Sequence, residues 1–303
     1  MFANLQEKYL AEEVGIDHAD GLITRREALR RLGMMGFNAV AASSILAACA
    51  QDAEEKTPAS PTPAAAEPTA LPTGAEGAVA AEDITFQGPT STLIAAYAPA
   101  EDPKGAVLVI HENRGLTDHF KSVVGRLARD GYSGLALDLV SEEGGTAELG
   151  DDAAAMAALN GASPERFVAD MKAALGELER RNPGAKLGIV GFCFGGAQVW
   201  SMVQDGDARL AAAAPFYGTP PEPADFSNSQ AAVLAVYGAL DARVNATRPA
   251  AEAALKAANL THKILVYEGA DHAFFNDTGQ RYVADAATKA YQELIAWYNE
   301  HLA

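Results

Sequence analysis

From residue 82 to the C-terminus, short apolar runs alternate with longer stretches in which apolar residues return every three or four positions. The runs lie at 84–87, 92–98, 106–111, 133–139, 186–191, 211–217, 232–237 and 263–267. Several lack polar alternation, the pattern of parallel strands buried on both faces. Helical spacing occupies 118–130, 164–181, 195–204, 248–259 and 280–301. Asp118 and Ser163-Pro164-Glu165-Arg166 are helix-start signals. The first two runs are expected to pair as an antiparallel edge, and the rest to form a strand–helix series. The pattern predicts one α/β sandwich over residues 82–303, a mostly parallel sheet between helices, without internal repeats.

The first eighty residues follow a different pattern. Residues 1–31 are polar and end in Thr24-Arg25-Arg26-Glu27-Ala28-Leu29-Arg30-Arg31. An apolar run, 32–48, is broken only by Asn38 and two serines and closes on Leu46-Ala47-Ala48-Cys49. Basic residues, an apolar stretch and then small residues make an export signal. Arg25-Arg26 followed by Leu29 resembles a twin-arginine signal, with Ala28 where that class prefers Phe. Leu46 to Cys49 resembles a bacterial lipobox, in which Cys49 is lipidated and becomes the new N-terminus. An uncleaved anchor is the alternative, because a run of this length nearly spans a bilayer. Residues 49–81 are rich in Ala, Pro, Thr and Glu and hold no aromatic side chain. Such a segment buries too little apolar surface to offset its ordering entropy and reads as a flexible stalk of up to about 100 Å. Three parts are thus expected: an export signal (1–48), a linker (49–81) and a catalytic domain (82–303). The location expected from them is extracytoplasmic, with the membrane reached only through an N-terminal lipid anchor.

The chain of 303 residues carries 23 basic and 40 acidic side chains, a net charge of −17, which disfavours nucleic acid and anionic headgroups. With cysteines only at 49 and 193, a disulfide scaffold is excluded. No HExxH, CxxC or phosphate-binding glycine loop occurs, so neither metal nor cofactor is expected.

In a sheet of this kind the chemistry sits at the carboxyl ends of strands. Gly191-Phe192-Cys193-Phe194-Gly195-Gly196 follows one strand directly and has the form of a nucleophile elbow with cysteine in the serine place. Glycines relieve the clash of a sharp strand-to-helix turn, and the helix amino end favours a thiolate. The bland alternative is a buried structural cysteine at a glycine turn. Asp241 lies just past the strand ending at Tyr237, where a carboxylate orients a histidine or simply starts a helix. His272 follows the last strand, and the order Cys193, Asp241, His272 is that of nucleophile, acid and histidine in α/β-hydrolases. His111-Glu112-Asn113-Arg114-Gly115 follows the strand at 106–111. Its loop offers the Asn113 N–H as one oxyanion donor beside that of Phe194. The bland alternative for Glu112 is a solvated loop acid, and His111 has no assigned role.

These motifs resemble the dienelactone hydrolase family, carboxymethylenebutenolidase-like enzymes of the α/β-hydrolase fold, over residues 82–303. The resemblance implies Cys193 as nucleophile, His272 as base and acid, and Asp241 as its orienter. It also implies that Glu112 interacts with the thiol and helps activate it on substrate binding. Dienelactone-cleaving members hold a ligand carboxylate with two arginines; here Asn276 and the stretch Val140-Ser141-Glu142 stand in their places. Arg114 and Arg281 are the candidates to substitute for them. The expected reaction is hydrolysis of a small-molecule ester or lactone through a thioacyl-enzyme. Alternatives are a non-catalytic ligand-binding lipoprotein and a thioesterase or peptidase of the same fold.

Overall fold

Eight strands form one sheet in the computed structural model, which describes residues 4–54 and 76–303. They are β1 (Glu82–Gln87), β2 (Thr92–Ala98), β3 (Gly105–Ile110), β4 (Tyr132–Leu137), β5 (Leu187–Phe192), β6 (Leu210–Phe216), β7 (Ala232–Gly238) and β8 (His262–Tyr267). The sheet order is β1-β2-β4-β3-β5-β6-β7-β8. β1 pairs antiparallel with β2, and β2 antiparallel with β4. All remaining pairings are parallel. β3, β4 and β5 are buried along their whole length, as their unbroken apolar runs require. Each expected strand is present with its ends shifted by at most two residues.

The helices are α1 (Leu5–Ala19), α2 (Arg25–Met34), α3 (Ala39–Glu54), α4 (Asp118–Arg129), α5 (Thr146–Leu149), α6 (Asp152–Gly161), α7 (Pro164–Arg181), α8 (Phe194–Asp205), α9 (Ala242–Ala257) and α10 (Ala284–His301). α7 begins and ends where its Ser163 cap and proline place it. α9 starts earlier than the expected 248, because the Asp241 side chain caps it by accepting from the Val244 N–H at 3.0 Å. α10 starts later than 280, because the Val283 N–H is committed to the Phe274 carbonyl at 3.0 Å. α6 has no counterpart in the sequence reading; its alanine-rich run shows little periodicity, and Asp151 caps it.

The N-terminal region differs most from expectation. Residues read as a polar leader and an apolar signal core fold into α1–α3 and pack against the catalytic domain. Asn4 caps α1 by accepting from the Glu7 N–H, and Thr24 caps α2 by accepting from the Glu27 N–H. Leu10, Val14, Leu32, Ile45 and Leu46 are buried between these helices. Gly15 permits the close approach of α3, since a Cβ there would lie 2.4 Å from Cys49 Sγ. Among the described residues no helix is long and apolar enough to cross a membrane. α3 runs through Cys49 to Glu54, so the expected linker opens as helix. Residues 55–75 of that linker lie outside the described residues. Its last residues lie against α4, where the Val79 N–H donates to the Gly125 carbonyl at 3.0 Å.

The loop after β8 is fastened to α4 by a buried ionic contact. Asp277 accepts from His119 Nδ1 at 2.8 Å and pairs with Arg126. Burial works against the Asp277 carboxylate, but His119 and Arg126 outweigh it and hold its pKa below the usual range. Asp277→Ala leaves a buried guanidinium without its counter-charge, a loss of roughly 3–5 kcal/mol. An exposed pair such as Lys263–Glu293 contributes less than about 1 kcal/mol. Urea unfolding of the two alanine variants, Asp277→Ala and Glu293→Ala, is expected to separate them by that margin.

Candidate active site

β5 passes into α8 through Cys193, which has φ 55° and ψ −117° and is buried. A positive φ is uncommon for a residue with a Cβ and persists only where the surroundings impose it. Here they do, through backbone contacts that only glycines allow. A Cβ on Gly191 would lie 2.2 Å from the Gly195 carbonyl oxygen, and one on Gly195 2.3 Å from that of Ile110. One on Gly196 would lie 2.4 Å from the Phe216 carbonyl oxygen. The Cys193 N–H donates to that same Phe216 carbonyl at 3.1 Å, so the turn is locked to the neighbouring strand. Phe194 opens α8, in the first turn where N–H groups have no intrahelical partner.

Asp241 divides its carboxylate between two tasks. Oδ1 caps α9, and Oδ2 accepts from His272 Nδ1 at 2.6 Å. The histidine loop is held to the end of β7 by the Leu240 N–H, which donates to the Ala270 carbonyl at 2.9 Å. With Nδ1 bound to the carboxylate, Nε2 is the free nitrogen, and a ring nitrogen of His272 lies within 4.8 Å of Cys193 Sγ. Burial opposes the imidazolium, yet the charges of Cys193 and Asp241 outweigh it and lift His272 to about 10.

The loop after β3 is braced from two sides. His111 Nδ1–H donates to the Glu112 carbonyl at 2.6 Å, and its Nε2 accepts from the Leu139 N–H at 3.0 Å. Both bonds require the neutral ring, and burial pushes His111 down toward it. This gives His111 a structural task, tying the β3 and β4 ends together. Asn113 is buried beside it. The Glu112 carboxylate accepts from Tyr217 Oη at 3.2 Å and from Asn276 Nδ2 at 2.7 Å. Each carboxylate oxygen of Glu112 is engaged by a neutral donor. Asn276, in the place of an arginine, thus clamps Glu112.

The two candidate arginines lie apart. Arg114 is exposed and pairs with Asp152 on α6 at 3.4 Å. Arg281 is largely buried and donates to Asp17 at 2.9 Å and Asp20 at 2.6 Å, at the end of α1. Burial opposes its charge, and Asp17, Asp20 and Asp271 together outweigh that and raise it.

Sequence reasoning missed three further residues of the cleft. Tyr9 on α1 donates from Oη to Cys193 Sγ at 3.4 Å. Glu13 lies 3.5 Å from His272 Nε2 and pairs with Arg243. The Arg243 guanidinium also stacks 4.4 Å from the Tyr9 ring centroid. The one available signal was Arg243 itself, a cation in the first turn of a helix, where the dipole disfavours it. Glu13, Cys193 and His272 form the set of metal-ligand-type atoms found among the described residues, and it includes the candidate nucleophile and the histidine beside it. A metal there would consume the thiol.

A profile described as "Dienelactone hydrolase family" matches residues 93–302. A Methylorubrum extorquens protein named "Putative carboxymethylenebutenolidase" is 32% identical over 251 residues, 77% of this chain and 85% of that protein. An Escherichia coli O157:H7 protein of the same name is 29% identical over 67% of this chain and 79% of its own. A Klebsiella pneumoniae crystal structure titled as a dienelactone hydrolase of that same provisional kind aligns with a TM-score of 0.67 at 28% identity. It covers 73% of this chain and 98% of its own. A dienelactone hydrolase-like promiscuous phosphotriesterase from metagenomic libraries aligns at 0.62 and 25% identity, over 75% of this chain and all of its own.

The lifted His272 pKa sets a pH dependence. The folded state holds this proton more tightly than the unfolded chain, whose histidine titrates near 6.5. The resulting stabilisation is complete below about pH 6.5 and is lost as pH rises toward about 10. Asp241→Asn removes one of the charges that raise the pKa. Urea unfolding at pH 6, 8 and 10 is expected to show a fall in wild-type stability across this window and a flatter profile in the variant.

Proposed function

The chain belongs to the dienelactone hydrolase family and is a hydrolase of the α/β-hydrolase fold, and on that premise we propose that it cleaves a small-molecule carboxylic ester or lactone with Cys193 as nucleophile. The observation that carries this reading is the juxtaposition of a cysteine at a positive-φ elbow with a histidine whose far nitrogen is held by a buried aspartate at 2.6 Å.

The Cys193 sulfur attacks the carbonyl carbon, and the carbonyl π electrons move onto oxygen. That oxyanion is received by the N–H groups of Asn113 and Phe194, each such donor lowering a barrier by about 3–4 kcal/mol. His272 carries the thiol proton on Nε2 and gives it to the departing alkoxide as the carbon–oxygen bond breaks. Water then attacks the thioester; His272 takes its proton and returns it to the sulfur, releasing the acid. Asp241 keeps Nε2 aimed at the sulfur throughout. Glu112, held by Tyr217 and Asn276, acts as a buried negative group that disfavours a free thiolate before substrate arrives.

Export is proposed alongside, on the strength of Arg25-Arg26, the apolar run and the Leu46–Cys49 sequence. Arg25 and Arg26 are exposed at the start of α2. Labelled palmitate is expected to enter the wild-type chain in bacterial cells and to be absent from Cys49→Ser.

For the chemistry, Cys193→Ala is expected to lower kcat/KM on p-nitrophenyl esters by roughly 10³-fold or more. Retention of more than about a tenth of wild-type activity in a correctly folded variant would remove Cys193 from the reaction.

A further inference from the structure

The place where an ester must sit is filled by a segment of the same chain. We propose that α1 is an intramolecular inhibitor which occupies the substrate cleft, so that the enzyme works only once α1 has left it. This rests on Cys193 and His272 being the reacting pair.

The polar residues Gln6, Tyr9, Glu13, Asp17 and Asp20 recur at intervals of three or four along α1 and its C-terminal cap, and so share one helical face. Each meets a partner on the catalytic domain. Gln6 Nε2 donates to the Leu159 and Ala162 carbonyls at 2.7 and 3.0 Å, at the end of α6. Tyr9 and Glu13 lie over the reacting atoms, and Asp17 and Asp20 accept from Arg281. The helix is held at both ends and across its middle.

Both reacting atoms are covered. A productive carbonyl carbon lies about 3–3.5 Å from its nucleophile, and the Tyr9 hydroxyl oxygen already stands 3.4 Å from Cys193 Sγ. Glu13 stands 3.5 Å from His272 Nε2, where a leaving alkoxide must receive its proton. Cys193 is 3% and His272 4% exposed. A cavity of about 420 Å³ lies between α4 and α10, and one of about 450 Å³ beside β8; neither borders either residue.

The site does not need α1 for its own assembly. The elbow is fixed by β3, β5 and β6, His272 by Asp241, and Glu112 by Tyr217 and Asn276. The fit of α1 is also incomplete: Arg243 Nε has no hydrogen-bond partner among the described residues. A buried face that leaves such an atom unpaired is weakly held for its area. The cysteine read as the processing point lies downstream of α1, so a cut ahead of Cys49 separates inhibitor from catalytic domain.

The test uses the full chain. Asp17→Lys with Asp20→Lys reverses the charges held by Arg281, and Tyr9→Ala with Glu13→Ala empties the middle of the cleft. Two readouts are taken: the rate of Cys193 alkylation by iodoacetamide, measured in a Cys49→Ser background, and kcat/KM on p-nitrophenyl acetate. Both are expected to rise at least tenfold in each double variant. Adding Arg281→Asp to the lysine pair is expected to return both toward wild type, since the ion pairs re-form with opposite sense. Unchanged alkylation in both folded double variants overturns the proposal. So does faster alkylation with slower ester turnover, which would make α1 a working part of the site. Faster alkylation without turnover in any chain supports the occlusion while removing the hydrolase reading.

Discussion

At Cys193 the chain must leave a buried strand and enter a helix within one residue, and the positive φ this demands costs on the order of 1–3 kcal/mol. That cost is carried by a sheet whose central strands are wholly buried. The three glycines around the turn do more than relieve a clash. Because Gly195 rests on the Ile110 carbonyl and Gly196 on that of Phe216, the elbow is drawn against the ends of β3 and β6 at once. The separation between the Asn113 loop, which continues β3, and the Phe194 N–H, which opens α8, is therefore a consequence of backbone contact. The proposed oxyanion donors would inherit their spacing from the elbow.

Charge is the second constraint, because nearly every ionisable group around the elbow is buried. Each has been given an assigned partner: Asp241 with His272, Asp277 with His119 and Arg126, Arg281 with Asp17 and Asp20. Glu112 is the informative case, since its partners are the neutral donors Tyr217 and Asn276. A cation there would neutralise it and pull it toward the surface of the pocket. Two neutral donors, one of them the Asn276 amide, hold the carboxylate without a cation beside it.

The catalytic domain was legible because its signals are local and redundant. Apolar runs without alternation mark β3 to β7, and the glycine spacing marks the elbow. The order of Cys193, Asp241 and His272 follows from each lying past its own strand. Two readings of Asp241, helix cap and histidine orienter, competed in the sequence, and the structure assigns one carboxylate oxygen to each. What was illegible is the N-terminal region. A helix that packs on an apolar core announces itself by an apolar stripe, but α1 presents Gln6, Tyr9, Glu13 and Asp17 to a polar cleft. Its other buried residues, such as Leu10 and Val14, meet helices that read as signal sequence. The roles of Arg243 and Arg281 were hidden for the same reason, since their partners lie more than two hundred residues away.

An ionic face suits a temporary occupant better than an apolar one. An apolar helix over Cys193 would gain free energy from every Å² it covers, with nothing opposing it. A face carrying Tyr9 and Glu13 must strip water from a carboxylate and from Arg243, and their attraction repays little more than that loss. The balance leaves a modest net contact energy, which suffices only while attachment keeps the segment at high local concentration. A segment on the same chain acts at an effective concentration that can reach the millimolar range for a short flexible connection, and loses that advantage once the connection is cut. Strong occupancy while attached and easy loss once detached therefore come from the same pairing of buried opposite charges.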